Sequence, residues 1–135
     1  MELVANQILT HATEHAATGA VVIALKGDLG AGKTTLVQSL AALLGVTETV
    51  TSPTYVVMKS YETDGHATIT HLIHIDAYRI EDIDEMRVLG FENLLSKKDT
   101  IICIEWPEKI TPLIPADALT VSIEILASGR AVTIS

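Results

Sequence analysis

The sequence predicts an α/β fold: a single domain over residues 1–135, with a mixed, partly antiparallel sheet flanked by helices. Three observations predict it. Val21-Val22-Ile23-Ala24-Leu25 is a short, β-branched apolar run, the pattern of a buried strand. A glycine-rich loop follows it, and then apolar residues at helical spacing, so strand, loop and helix succeed one another. Further apolar runs meet across short turn signals, which adds antiparallel pairs to the sheet.

The elements follow in order. Val4, Ile8, Leu9, Ala12 and Ala16 form one apolar stripe, giving an amphipathic helix over about 3–17. His11 and His15 lie at its edge, in solvent. Leu36, Val37, Leu40, Ala41, Leu43 and Leu44 make the helix after the loop, and Gly45 sits where a C-terminal cap belongs. Thr54 to Tyr61 is β-prone, Glu62-Thr63-Asp64-Gly65 is a turn signal, and Ala67 to Asp76 alternates with Ile69, His71, Ile73 and Ile75 on one face. These make an antiparallel hairpin. Glu81 to Leu89 reads as a short helix with acidic residues in its first turn and Gly90 as its stop. Phe91, Leu94 and Leu95 continue an apolar face. Ile101 to Ile104 is a buried strand closed by Trp106-Pro107. Leu119 to Leu126 and Ala131 to Ser135 are strands of a second hairpin around Ala127-Ser128-Gly129-Arg130.

Composition excludes several classes. Hydrophobic residues make up 48% of 135, enough for a real core and too many for disorder. Nine basic against 17 acidic residues leave a net charge of −8, which argues against strong direct binding to nucleic acid. The one cysteine, Cys103, lies inside an apolar run, as a buried structural thiol would. Internal disulfides are thereby excluded and a reducing compartment fits. Met1 to Gly19 has neither a basic leader nor a long apolar core, and no stretch approaches the roughly 18 apolar residues of a bilayer span. The expected location is cytoplasmic, with no membrane association.

Gly27-Asp28-Leu29-Gly30-Ala31-Gly32-Lys33-Thr34 is a complete Gly-x-x-x-x-Gly-Lys-[Ser/Thr] phosphate loop (P-loop, Walker A). Backbone N–H groups of such a loop cradle a β-phosphate, the lysine reaches β/γ oxygens, and the threonine hydroxyl ligates Mg²⁺. The domain is therefore expected to be a single P-loop NTPase domain. Hydrolysis or transfer also needs an acid. Glu105 ends the apolar strand Ile101–Ile104, as in a Walker B pattern, and would hold Mg²⁺ directly or through water. Asp76 ends Leu72-Ile73-His74-Ile75 and would orient the water or complete the Mg²⁺ shell. Thr51-Ser52-Pro53-Thr54 is placed to sense the γ-phosphate as a switch does. Arg79 suits phosphate, a partner or a surface ion pair equally. Ser96-Lys97-Lys98-Asp99 superficially resembles a guanine-reading motif, but it precedes its strand and no Asp-x-x-Gly occurs, so it reads as a solvated charge run. Two other functions use the same pocket. A small-molecule kinase would need more than the three arginines here to clamp a second substrate, and a lid. A nucleotide-gated binding module would need only the pocket.

The loop through Leu36, Thr51-Ser52-Pro53-Thr54-Tyr55, His74-Ile75-Asp76-Ala77-Tyr78-Arg79 and Ile104-Glu105-Trp106-Pro107-Glu108 together resemble the bacterial TsaE (YjeE) family in order and spacing. The resemblance runs from the N-terminal helix to Glu108, with the final hairpin similar beyond it. Tyr55 stands where phenylalanine is also common, and the sequence ends soon after its last strand, where relatives often run longer. The resemblance implies a small ATPase, slow alone, required for threonylcarbamoyladenosine at position 37 of tRNAs reading codons that begin with A. It would act by resetting or regulating a TsaD–TsaB complex. It further implies that Lys33 and Thr35 hold phosphates, that Thr34 and Glu105 hold Mg²⁺, and that Asp76 lies close to the γ-phosphate. Trp106 would border the nucleotide pocket and Gly129-Arg130 would touch the nucleotide.

Overall fold

The computed structural model describes residues 1–28, 30–64 and 66–135. Six strands form one sheet in the order β2-β3-β4-β1-β5-β6. They are β1 (Val21–Lys26), β2 (Met58–Glu62), β3 (His71–Asp76), β4 (Thr100–Glu105), β5 (Leu119–Leu126) and β6 (Gly129–Ile134). β3, β4, β1 and β5 run parallel, while β2 and β6 are antiparallel edges. The sheet is mixed, as the sequence predicts, because β2–β3 and β5–β6 are antiparallel hairpins at its two edges while the parallel neighbours between them need crossover connections.

The inner strands are apolar on both faces, so they bury two cores. Ile23, Leu25, Leu72, Ile101, Cys103 and Ile123 pack beneath helices α1 (Glu2–His15) and α2 (Lys33–Leu43). Val22, Ile73, Ile75, Ile102 and Ile104 pack on the other face against Met86 and Phe91 of α3 (Asp84–Val88) and α4 (Phe91–Leu95), and Ile110. Helix α2 ends as Gly45 foretells. Gly45 takes φ +75, its N–H bonds Ala42 O, and Val46 N–H bonds Ala41 O. A Cβ on Gly45 would lie 2.1 Å from Asp64 O, so glycine is also demanded by the neighbouring turn.

Several boundaries differ from the sequence reading. The first hairpin strand begins at Met58, not Thr54. Pro53 O instead accepts the N–H groups of Val56 and Val57, and Val57 turns to φ +69, so residues 53–57 are spent on a turn. β3 begins at His71, not Ala67, because the His66 ring draws in the N–H groups of Thr68 and Ile69 and makes a local turn. β3 is also buried on both faces rather than one, since it lies inside the sheet. The helix expected over 81–89 is regular only over Asp84–Val88; its entry is a turn in which Glu85 Oε2 accepts the N–H groups of Glu81 and Asp82. The last turn is only Ala127-Ser128, so Arg130 belongs to β6, opposite Ile125, rather than to the hairpin tip. A 3₁₀ segment, Pro107–Leu113, was not foreseen. Gly65 of the first turn lies outside the described residues. Among the described residues no helix is long and apolar enough to cross a membrane.

Candidate functional site

The site forms where β1, β3 and β4 end together. β1 passes into the glycine loop, and α2 starts at Lys33 with no side-chain cap and no acidic residue in its first turn. Its first N–H groups are thus left for an anion. Gly27 cannot be replaced, because a Cβ there would stand 2.8 Å from Ile123 O of β5. Lys33 is 5% exposed. Its ammonium donates to Gly27 O at 2.6 Å and sits 3.9 Å from the centre of the Trp106 ring. No carboxylate pairs with it among the described residues. A buried ammonium with one carbonyl and one aromatic face is under-satisfied, and a phosphate oxygen is its natural complement.

Asp76 and Glu105 are register partners on neighbouring strands and both are buried. Thr34 Oγ1 donates to Glu105 Oε2 at 3.1 Å, and the buried His74 ring meets the same oxygen through Nε2 at 2.5 Å. Asp76 Oδ2 accepts from Thr54 Oγ1 at 3.0 Å and Ser52 Oγ at 3.4 Å, while Oδ1 accepts the Tyr78 N–H at 3.0 Å. Burial and the nearby Glu105 charge push the Cys103 thiol up to about 12. Trp106 follows Glu105 with left-handed backbone, φ +58 and ψ +51, which turns its ring over Lys33 and against Tyr78, 5.2 Å away between centroids.

These groups line a cleft of about 330 Å³. It gathers Gly30, Gly32, Lys33, Thr34 and Thr35 of the loop and helix with Ser52 and Thr54 of the expected switch. Asp76, Glu105, Trp106 and Arg130 close it. Other expected site residues stand apart. Thr51 takes a hydrogen bond from Lys59, and Pro53 serves the turn through its carbonyl. Gly27 and Asp28 contribute carbonyls, to Lys33 and Ala31 respectively, and Ala31 packs into the core. Gly129 precedes Arg130 on β6 and is not among the cleft residues. Leu29 lies outside the described residues. Arg79 lies over the Tyr55 ring, 4.6 Å from its centre. Sequence reasoning missed His74 and Tyr78. The period of two along β3 was the available signal for His74, since it puts His74 and Asp76 on one face.

A family model described as "Threonylcarbamoyl adenosine biosynthesis protein TsaE" matches residues 2–132. The chain belongs to the TsaE family. TsaE proteins of tRNA threonylcarbamoyladenosine biosynthesis from two bacteria are similar to it. That of Borreliella burgdorferi is 35% identical over 115 residues, covering 84% of this chain and 80% of the relative. That of Aquifex aeolicus is 40% identical over 114 residues, covering 83% and 74%. The crystal structure of Bacillus subtilis YdiB superposes with a TM-score of 0.68 at 26% identity, covering 99% of this chain and 79% of YdiB. The TsaE resemblance read from the four motifs is therefore borne out.

Proposed function

We propose that this TsaE-family chain binds ATP with Mg²⁺ and hydrolyses it slowly, and that turnover resets or regulates a TsaD–TsaB complex making threonylcarbamoyladenosine at position 37 of tRNA. The observation that carries the ATP reading is the Lys33 ammonium, buried at a glycine loop without a carboxylate partner among the described residues.

The residues suit Mg²⁺. Thr34 Oγ1 hydrogen-bonds Glu105 Oε2 at 3.1 Å, so the two side chains meet at the cleft, and no group of three or more His, Cys, Asp or Glu side chains placed to hold a metal exists among the described residues. Mg²⁺ commonly takes one or two protein oxygens and completes its shell with phosphate and water. Thr34 and Glu105 would hold it, and when bound it neutralises charge on the phosphates. Lys33 turns from Gly27 O to the β/γ oxygens. The free N–H groups at the start of α2 hold the β-phosphate, beside Thr35. Asp76, steadied by Thr54 and Tyr78, orients the attacking water. Trp106 shields Lys33 from solvent and Arg130 reaches the nucleotide from β6.

Steady-state ATP hydrolysis with purified TsaD–TsaB absent and then present tests this. Slow turnover that rises on adding the complex is expected. Turnover indifferent to the complex would overturn the coupling, and phosphate transfer to a small acceptor would replace the ATPase with a kinase.

A further inference from the structure

We infer that His74 is the positioning residue for Glu105: it holds one carboxylate oxygen so that the other is presented to a cation in the cleft. The inference rests on the reading of Glu105 as the Mg²⁺ carboxylate. His74 is wholly buried on β3, and its Nε2 lies 2.5 Å from Glu105 Oε2. Thr34 Oγ1 donates to that same oxygen. With Oε2 as the acceptor of both contacts, His74 donates from Nε2. Its Nδ1 has no partner among the described residues. In the Nε2–H form Nδ1 is a bare acceptor; a proton on Nδ1 would be a buried donor with nothing to meet, which is costlier.

The Nε2–H tautomer dedicates the ring to one contact. Oε2 is engaged from the β3 side by His74 and from α2 by Thr34. Among the described residues no donor meets Oε1, and Glu105 lines the cleft. The carboxylate therefore cannot rotate about its last torsion without losing two hydrogen bonds. The Thr34 hydroxyl, with its O–H donated in a hydrogen bond to Glu105, keeps its lone pairs for a cation. His74 thus orders both oxygens that a cation would meet, without touching it.

The test compares His74→Gln, whose amide nitrogen reaches where Nε2 does, with His74→Asn, which is too short, in the full chain. ADP binding is followed by Trp106 fluorescence, with and without added Mg²⁺, and folding by thermal melting. For His74→Asn the half-saturating Mg²⁺ concentration should rise about tenfold or more, with Mg²⁺-free ADP affinity changed by less than about twofold. His74→Gln should restore most of the Mg²⁺ response. Equal Mg²⁺ response in His74→Asn and the natural chain would overturn the inference, as would equal loss in both variants. If His74→Asn fails to fold, a folded His74→Gln that keeps its Mg²⁺ response supports the inference and one that loses it overturns it. If both fail to fold, His74 is a packing residue and the inference falls. If the natural chain itself shows no Mg²⁺ response, it is the reading of Glu105 that fails.

Discussion

Asp76 and Glu105 occupy the same rung of parallel strands β3 and β4, yet they are held by separate sets of donors. Thr54, Ser52 and the Tyr78 N–H hold Asp76 from the loop side. Thr34 and His74 hold Glu105 from the helix and sheet side. Two carboxylates side by side repel one another where both are charged. A cation between helix and strand would offset that repulsion. The arrangement also divides labour: Glu105 is tied to the glycine loop through Thr34, and Asp76 is tied to the 51–57 segment.

Lys33→Ala should weaken ATP binding by about tenfold to a hundredfold, the worth of a charge-assisted hydrogen bond. Removing an under-satisfied buried ammonium should leave the melting temperature nearly unchanged. Titration of Trp106 fluorescence with ATP, beside a thermal melt, checks both. Unchanged affinity would refute the role of Lys33.

Glu105→Ala should damage Mg²⁺-dependent turnover more than Mg²⁺-free nucleotide binding. It also strands the buried His74 ring, at a cost of about 1–3 kcal/mol. Glu105→Gln keeps an acceptor for His74 and should fold more stably than Glu105→Ala. Hydrolysis rates and denaturant melts on the pair separate the two effects; equal losses of turnover and of Mg²⁺-free binding would sink the cation role.

Thr54→Val keeps the side-chain shape but removes the hydroxyl that bonds Asp76 at 3.0 Å and Ser52 at 2.8 Å. Turnover should fall while ATP affinity holds, because Lys33 and the loop are untouched. Tyr55, 85% exposed beside that hydroxyl, should become a faster site of chymotryptic cleavage. Unaltered cleavage and unaltered turnover together would show that the segment is held by its Pro53 turn alone.

Cys103 should resist alkylation in the native protein and react once the chain is unfolded in urea. Its folded value of about 12 lies above the ordinary 9.0. Below 9.0 the thiol is neutral in both states and its contribution is fully present. Above that the unfolded chain releases the proton while the folded one retains it, so stability falls as pH rises toward about 12. Cys103→Val should flatten that alkaline loss, measured by urea melts at increasing pH.

The strand–loop–helix unit was legible because glycine, lysine and threonine at fixed spacing leave the backbone few alternatives. Both acids were legible as strand ends, and Cys103 from its apolar flanks. Misread boundaries lie where a side chain or proline competes with the sheet: Pro53 starts a turn in a segment of high β-propensity, and His66 bends the chain before β3. Arg130 lines the cleft from within β6 rather than from a hairpin tip, because turn length depends on which residues pair across it. The hydrogen bond of His74 to Glu105 joins residues 31 apart, so no local pattern contains it.

Trp106 carries a conflict between folding and use. A bulky residue in left-handed backbone costs on the order of 1–3 kcal/mol, which glycine would not incur. Glycine would suit the backbone at 106 better; the indole instead packs on the second core and covers Lys33. Trp106→Gly should relieve the backbone but lose the packing of the ring on the second core and against Tyr78, while exposing the Lys33 ammonium. At this one position the backbone and the ring pull in opposite directions, so a stability measurement on Trp106 variants reads backbone strain and cleft packing together.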